Sequence, residues 1–136
     1  LAPPGVDLHY REMKAFVTIA VPLILATIAA SLPVLADDAS IENATARSNG
    51  TDWTFSVTLR HADTGWENYA DGWRVLSEDG TILGTRTLYH PHVDEQPFTR
   101  SLSGVTIPES ASSVLIEART NTDGWGAARL TVDLAE

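Results

Sequence analysis

The sequence predicts an all-β fold, two antiparallel sheets packed as a sandwich, and three observations carry that expectation. Beyond residue 40, apolar and polar residues alternate, most clearly as Trp53, Phe55, Val57 and Leu59 against Thr54, Ser56, Thr58 and Arg60. One buried and one wet face is the mark of an antiparallel layer. Turn signals recur roughly every eight to twelve residues, the rhythm of short strands. No stretch of the same region shows the spacing of an amphipathic helix.

The elements follow in order. Residues 41–47 read as a weak first strand, closed by Ser48-Asn49-Gly50. Residues 53–60 form the second, and His61 continues the phase of its buried face. The polar segment ADTGWENYADG leads to a third strand over 73–77. Glu78-Asp79-Gly80 then makes a tight hairpin into a fourth over 81–89. Residues 98–105 are the fifth strand and, after a proline connector, 113–120 are the sixth, with Val114, Ile116 and Ala118 on one face. NTDGWG reads as a loop, and 128–134 is the seventh strand, with Leu130, Val132 and Leu134 inward. Residues 37–39 read as a short linker ahead of the first strand. Seven strands over about a hundred residues match an immunoglobulin-like sandwich, by architecture only, because its Cys–Trp–Cys hallmark is absent. The expected core is Trp53, Phe55, Val57, Val114, Ile116, Leu130 and Val132, with Trp73 beside them.

The chain ahead of the sandwich has another texture. Residues 1–12 carry no pattern and read as an over-called upstream segment. Met13-Lys14 then opens an uncharged run that ends in Val34-Leu35-Ala36. That layout predicts a secretory signal peptide over residues 13–36, cleaved after Ala36, with a periplasmic or secreted product. Uncleaved, the run over 15–36 is long enough to span a bilayer, so a membrane contact is expected only if the leader is retained. Pro22, Pro33 and the many alanines favour cleavage.

What remains, residues 37–136, is one domain, able to bury about two-thirds of its unfolded surface without staples. The absence of cysteine excludes disulfides, thiol catalysis, Zn–Cys sites and a lipid-bearing thiol. Residues 37–136 hold seven Arg, no Lys and sixteen Asp plus Glu, a net charge of −9. Such a surface repels nucleic acid and anionic lipid, and its bland meaning is solubility.

If consecutive strands run antiparallel, the loops after strands two, four and six share one end of the sandwich. Those loops, residues 61–71, 90–96 and 121–126, bring together His61, His90, His92, Trp66, Tyr69 and Trp125. They also bring Asp63, Glu67, Asp94, Glu95 and Asp123. Loops on a rigid scaffold are where function concentrates. In His90-Pro91-His92 the proline favours an extended chain, and residues two apart then project to one side. Imidazoles suit Cu or Zn, with His61 as a third ligand and Asp94 or Glu95 completing the shell. The bland reading has the histidines capping strand ends while Pro91 sets a bend. Trp66, Tyr69 and Trp125 offer an alternative without metal, a platform for a glycan or a protein partner. Against it, large aromatics commonly fold over the end of a core.

A small hydrolase comes third. No Gly-x-Ser-x-Gly elbow, phosphate loop or His-Glu-x-x-His helix is present, so no catalytic residue is assigned. Asp94 and Glu95 are adjacent and in extended chain point apart, which suits paired acid–base work poorly. Arg100 is expected to make a salt bridge with one of them.

The segments RHADTGWENYADGW and HPHVDEQPFTRSLSGVTIP, within residues 53–134, resemble a family of small exported bacterial proteins of uncharacterised activity. The resemblance implies export and an immunoglobulin-like sandwich, carries no activity, and directs attention to His61, His90 and His92.

Overall fold

The computed structural model describes residues 5, 18–20 and 37–134 of the chain. The chain divides into two units, Leu1–Pro33 and Val34–Glu136, and the second holds the strands. The leader and its cleavage point lie outside the described residues, except for 18–20, which are exposed and in no regular element. Among the described residues there is no helix, hence none long and apolar enough to cross a membrane.

Eight strands are formed: β1 (Ser40–Ser48), β2 (Trp53–Arg60), β3 (Ala70–Leu76), β4 (Ile82–Thr87), β5 (Phe98–Val105), β6 (Ser113–Thr120), β7 (Gly124–Trp125) and β8 (Leu130–Asp133). They make two antiparallel sheets. One has the order β1-β2-β5; the other runs β4-β3-β6, with β7 and β8 both pairing β6. The alternation in β2 does what period two requires. Phe55, Val57 and Leu59 are at most 1% exposed, while Ser56 and Thr58 face outward and bond Ser101 and Thr99 on β5 at 2.8 and 2.7 Å. Trp73 and Val75 from β3, Val114, Ile116 and Ala118 from β6, Phe98 and Val105 from β5 and Val132 from β8 complete a common core.

The structure corrects the sequence reading in four places. β3 starts at Ala70, because the ladder slips between Ala70 and Gly72. A bulge there flips the phase, so the period-two pattern is lost where the strand begins. The expected seventh strand is two pieces on one edge of β6, making eight in all: Gly124 and Trp125 sit opposite Thr120 and Arg119, and 130–133 opposite 113–116. Gly126 N–H still donates to Ala118 O at 2.8 Å, so the residues between the pieces bulge without leaving the edge. Trp53 and Leu130 are half-buried at the margin of the core rather than inside it. Finally, 37–39 are no linker: Ala39 is in the core cluster, and Asp38 Oδ2 accepts from Ala127 N–H at 3.4 Å.

Two of the edge strands, β4 and β5, each carry an arginine in phase with the core. Arg86 lies opposite Trp73, and Arg100 opposite Val57. Inward-phase charges at an edge discourage further strand pairing. Arg86 Nε is buried without a hydrogen-bond partner among the described residues, while the Arg100 guanidinium meets His92 and Glu95. Arg100 uses its reach to enter the site described next.

Candidate functional site

The loops after β2, β4 and β6 are interlocked, and one buried carboxylate does most of the tying. His61 and Asp63 are two residues apart on extended chain leaving β2, so their side chains meet. Asp63 Oδ1 accepts from His61 Nδ1 at 2.6 Å and from Ala70 N–H at 3.0 Å, and Oδ2 accepts from His92 N–H at 2.8 Å. Three donors from two loops and the start of β3 converge on a side chain with no exposed surface. Gln96 adds a second clasp, accepting from His61 N–H at 3.0 Å and donating to His92 O at 3.0 Å. The third loop is joined by Asn121, whose side chain accepts from Tyr69 N–H and donates to Trp66 O, both at 2.9 Å.

The histidines are placed differently from one another. The ring of His61 is 1% exposed, and its Nε2 faces Asp37, 3.1 Å from the carbonyl and 3.2 Å from the carboxylate. Both of its nitrogens therefore lie within hydrogen-bond distance of oxygens, and neither points into open space. His92 is buried and stacks on Phe98, with ring centroids 3.9 Å apart and planes 10° apart. Its Nε2 accepts from the Arg100 guanidinium at 2.9 Å, so a positive group already sits where a metal would bind. Its Nδ1 has no hydrogen-bond partner among the described residues. His90 is exposed, lies 4.6 Å from the His92 ring, and turns Nδ1 toward Pro91 O at 3.1 Å. Asp94 is exposed, and Glu95 pairs with Arg100 at 3.2 Å, the salt bridge the sequence suggested. His61, His90, His92, Asp94 and Glu95 are thus not assembled as one ligand set. Among the described residues no group of three or more His, Asp or Glu is placed to hold a metal ion.

His61–Asp63 has the geometry of a base and its orienting carboxylate. The nitrogen that would activate a nucleophile faces Asp37 instead, an acceptor with no hydroxyl to give up. The pair is built as a structural clasp.

Burial, with the Arg100 guanidinium and the His90 ring beside it, holds His92 below the ordinary histidine range; Glu95 and Asp63 oppose this more weakly. A histidine depressed on folding binds its proton more readily in the unfolded chain, so stability is full above the unfolded value of about 6.5 and falls as pH drops below it. Urea unfolding at pH 7.5 and 5.5 is expected to show this loss in the wild type and a smaller one in His92→Gln, where Gln retains an acceptor for Arg100. Equal losses in both proteins would assign the pH response to another group.

The aromatic residues divide as well. Gly65, at φ +144°, opens a turn in which Asn68 N–H donates to Gly65 O at 3.3 Å and Thr64 N–H to Asn68 O at 2.9 Å. A side chain at Gly65 would meet Glu67 Oε2 at 2.7 Å, and that φ suits glycine. Trp66 and Glu67 occupy the tip. Trp66 is 66% exposed and meets the half-buried Tyr69 edge to face, with centroids 5.7 Å apart. Trp125 is elsewhere, half-buried beside β6, with the Arg74 guanidinium over its ring at 3.9 Å and Arg119 at 5.6 Å. Two guanidinium groups therefore lie against the Trp125 ring, a cation–π arrangement that the Trp66–Tyr69 pair does not share.

Sequence reasoning missed the central role of Asp63 and the parts of Asp37, Gln96 and Asn121. Only His61-x-Asp63 left a usable signal, the same two-residue spacing that drew attention to His90-x-His92.

Fold and site together define an all-β, two-sheet protein whose interlocked loops present an exposed Trp66 beside a half-buried Tyr69. A stretch of 79 residues, 58% of this chain, is 42% identical to a protein of Halomicrobium mukohataei bearing the name "Putative lipoprotein". The matched stretch spans 38% of that relative's length. No family model matches the chain, and no solved structure matches it.

Proposed function

We propose that the protein is an exported binding module of immunoglobulin-like type that recognises a neutral glycan through Trp66 at the loop pole. The order β1-β2-β5 against β4-β3-β6-β8 supports the fold type, since β2→β3, β4→β5 and β5→β6 each cross between the sheets, as in a Greek-key sandwich. The leader pattern, together with a relative named as a lipoprotein, supports export.

The observation that carries the binding reading is Trp66. An indole left two-thirds in water costs hydrophobic free energy, yet its loop is held by backbone and Asn121 hydrogen bonds that present it outward. A rigid, pre-exposed aromatic loses little entropy on binding. Glu67 and Asn68 follow it on the same turn, and Asp123 is exposed on the loop that bonds Asn68 through Thr122, polar groups suited to sugar hydroxyls and ill suited to an anion. Trp66→Ala is expected to weaken binding to neutral polysaccharides at least about ten-fold, the scale of a lost hot-spot aromatic, with the fold intact. Affinity electrophoresis through gels containing a β-glucan or a mannan, with tryptophan fluorescence as a second readout, checks it. Absence of retardation across neutral polysaccharides would overturn the glycan reading. Saturable Cu(II) or Zn(II) uptake lost in His90→Ala would put the metal in its place.

A further inference from the structure

Residue 37 is held in a way that the sandwich itself does not require. Its backbone N–H donates to Asp123 Oδ2 at 3.2 Å. Its carbonyl and carboxylate both face His61 Nε2, at 3.1 and 3.2 Å, and the carboxylate accepts from Asn68 Nδ2 at 3.3 Å. Every polar group of the residue is therefore met by the loop pole, and Asp38 and Ala39 are stitched in behind it.

We infer that Asp123, His61 and Asn68 form a receptor for the amino terminus created by cleavage between Ala36 and Asp37. The inference rests on the reading that the leader is removed at that bond. A leader peptidase acting in trans would add one water across the Ala36–Asp37 amide. The C–N bond breaks, Ala36 leaves as a carboxylate, and the Asp37 nitrogen becomes an ammonium. Where a neutral N–H now donates to Asp123, a full positive charge with three hydrogens takes its place. A charge-assisted bond is roughly twice as strong as a neutral one, so processing tightens the contact. Its other end is the His61–Asp63 clasp, which links the terminus to the loops that carry Trp66.

The composition provides a clean test. Residues 37–136 contain no lysine, so the processed chain has a single amine. The full chain is expressed in an exporting bacterial host, and the intact mass of the soluble product identifies its first residue. The amine is then acetylated near neutral pH with an N-hydroxysuccinimide ester. Pairing with Asp123 stabilises the unreactive ammonium, so Asp123→Asn is expected to label about three-fold faster than the wild type, the scale of one exposed ion pair. Acetylated wild type should melt below the unlabelled protein, a comparison that needs no variant. A product starting at any residue other than 37 overturns both the cleavage reading and the receptor. A product starting at Asp37 that labels at the same rate in both proteins, and melts unchanged on acetylation, leaves cleavage standing and overturns the receptor.

Discussion

Asp63→Asn is expected to destabilise the protein by about 3–5 kcal/mol, the range for removing one partner from a buried charged network. The wild-type carboxylate presents two oxygens to three donors, His61 Nδ1, Ala70 N–H and His92 N–H. An amide has one oxygen, and whichever way it turns, its NH2 faces an N–H. At least one buried donor loses its acceptor, and an unmet buried group costs roughly 1–3 kcal/mol before any repulsion is counted. Natural domains hold only about 5–15 kcal/mol in all, so the loss is a large share. Urea denaturation measures it, with Asp94→Asn as the control, since that exposed side chain should change stability by no more than about 0.5 kcal/mol. A loss under about 1 kcal/mol in Asp63→Asn would mean that the loops are held by Gln96, Asn121 and packing, and that the carboxylate is incidental.

Core truncation tests the sheets themselves. Phe55 on β2 and Ile116 on β6 are both fully buried, one from each sheet. Reducing either to Ala is expected to cost about 2–5 kcal/mol, as lost apolar transfer plus the cavity left behind, with Phe55 toward the upper end. Thr58→Ala is the surface comparison: it removes one exposed hydroxyl bond to Thr99 and should cost under about 1 kcal/mol. Equal, small losses from all three variants would show that the faces of β2 and β6 are wrongly assigned. Because Phe55 and Ile116 share one core, the double variant is expected to depart from additivity.

How much of this was legible beforehand depended on whether the information was local. The alternation in residues 53–60 specified which face of β2 is buried, and a strand period is a property of consecutive residues. Turn chemistry did the same at Glu78-Asp79-Gly80, where Gly80 has φ +90° and its N–H meets Ser77 O at 2.9 Å. The shared end of the three loops followed from antiparallel succession alone. Composition settled that no cysteine chemistry operates on these residues and that the surface is strongly acidic.

Tertiary structure decided the rest. Spacing placed His61, His90 and His92 at one end, but only the fold turned His61 onto Asp63 and Asp37 and laid the Arg100 guanidinium against His92. Asp37 lies 24 residues from His61 and Arg100 eight from His92, and a residue string does not encode which atoms meet, even where the partner, like Asp63, is two positions away. Trp66, Tyr69 and Trp125 were likewise indistinguishable as letters. A glycine turn tip exposes the first, and two arginines from β3 and β6 cover the last. Local periodicity determined the strands of this protein; the choice of partner for each polar group was made by long-range packing, where a buried donor or acceptor is costly unless the fold brings it a mate.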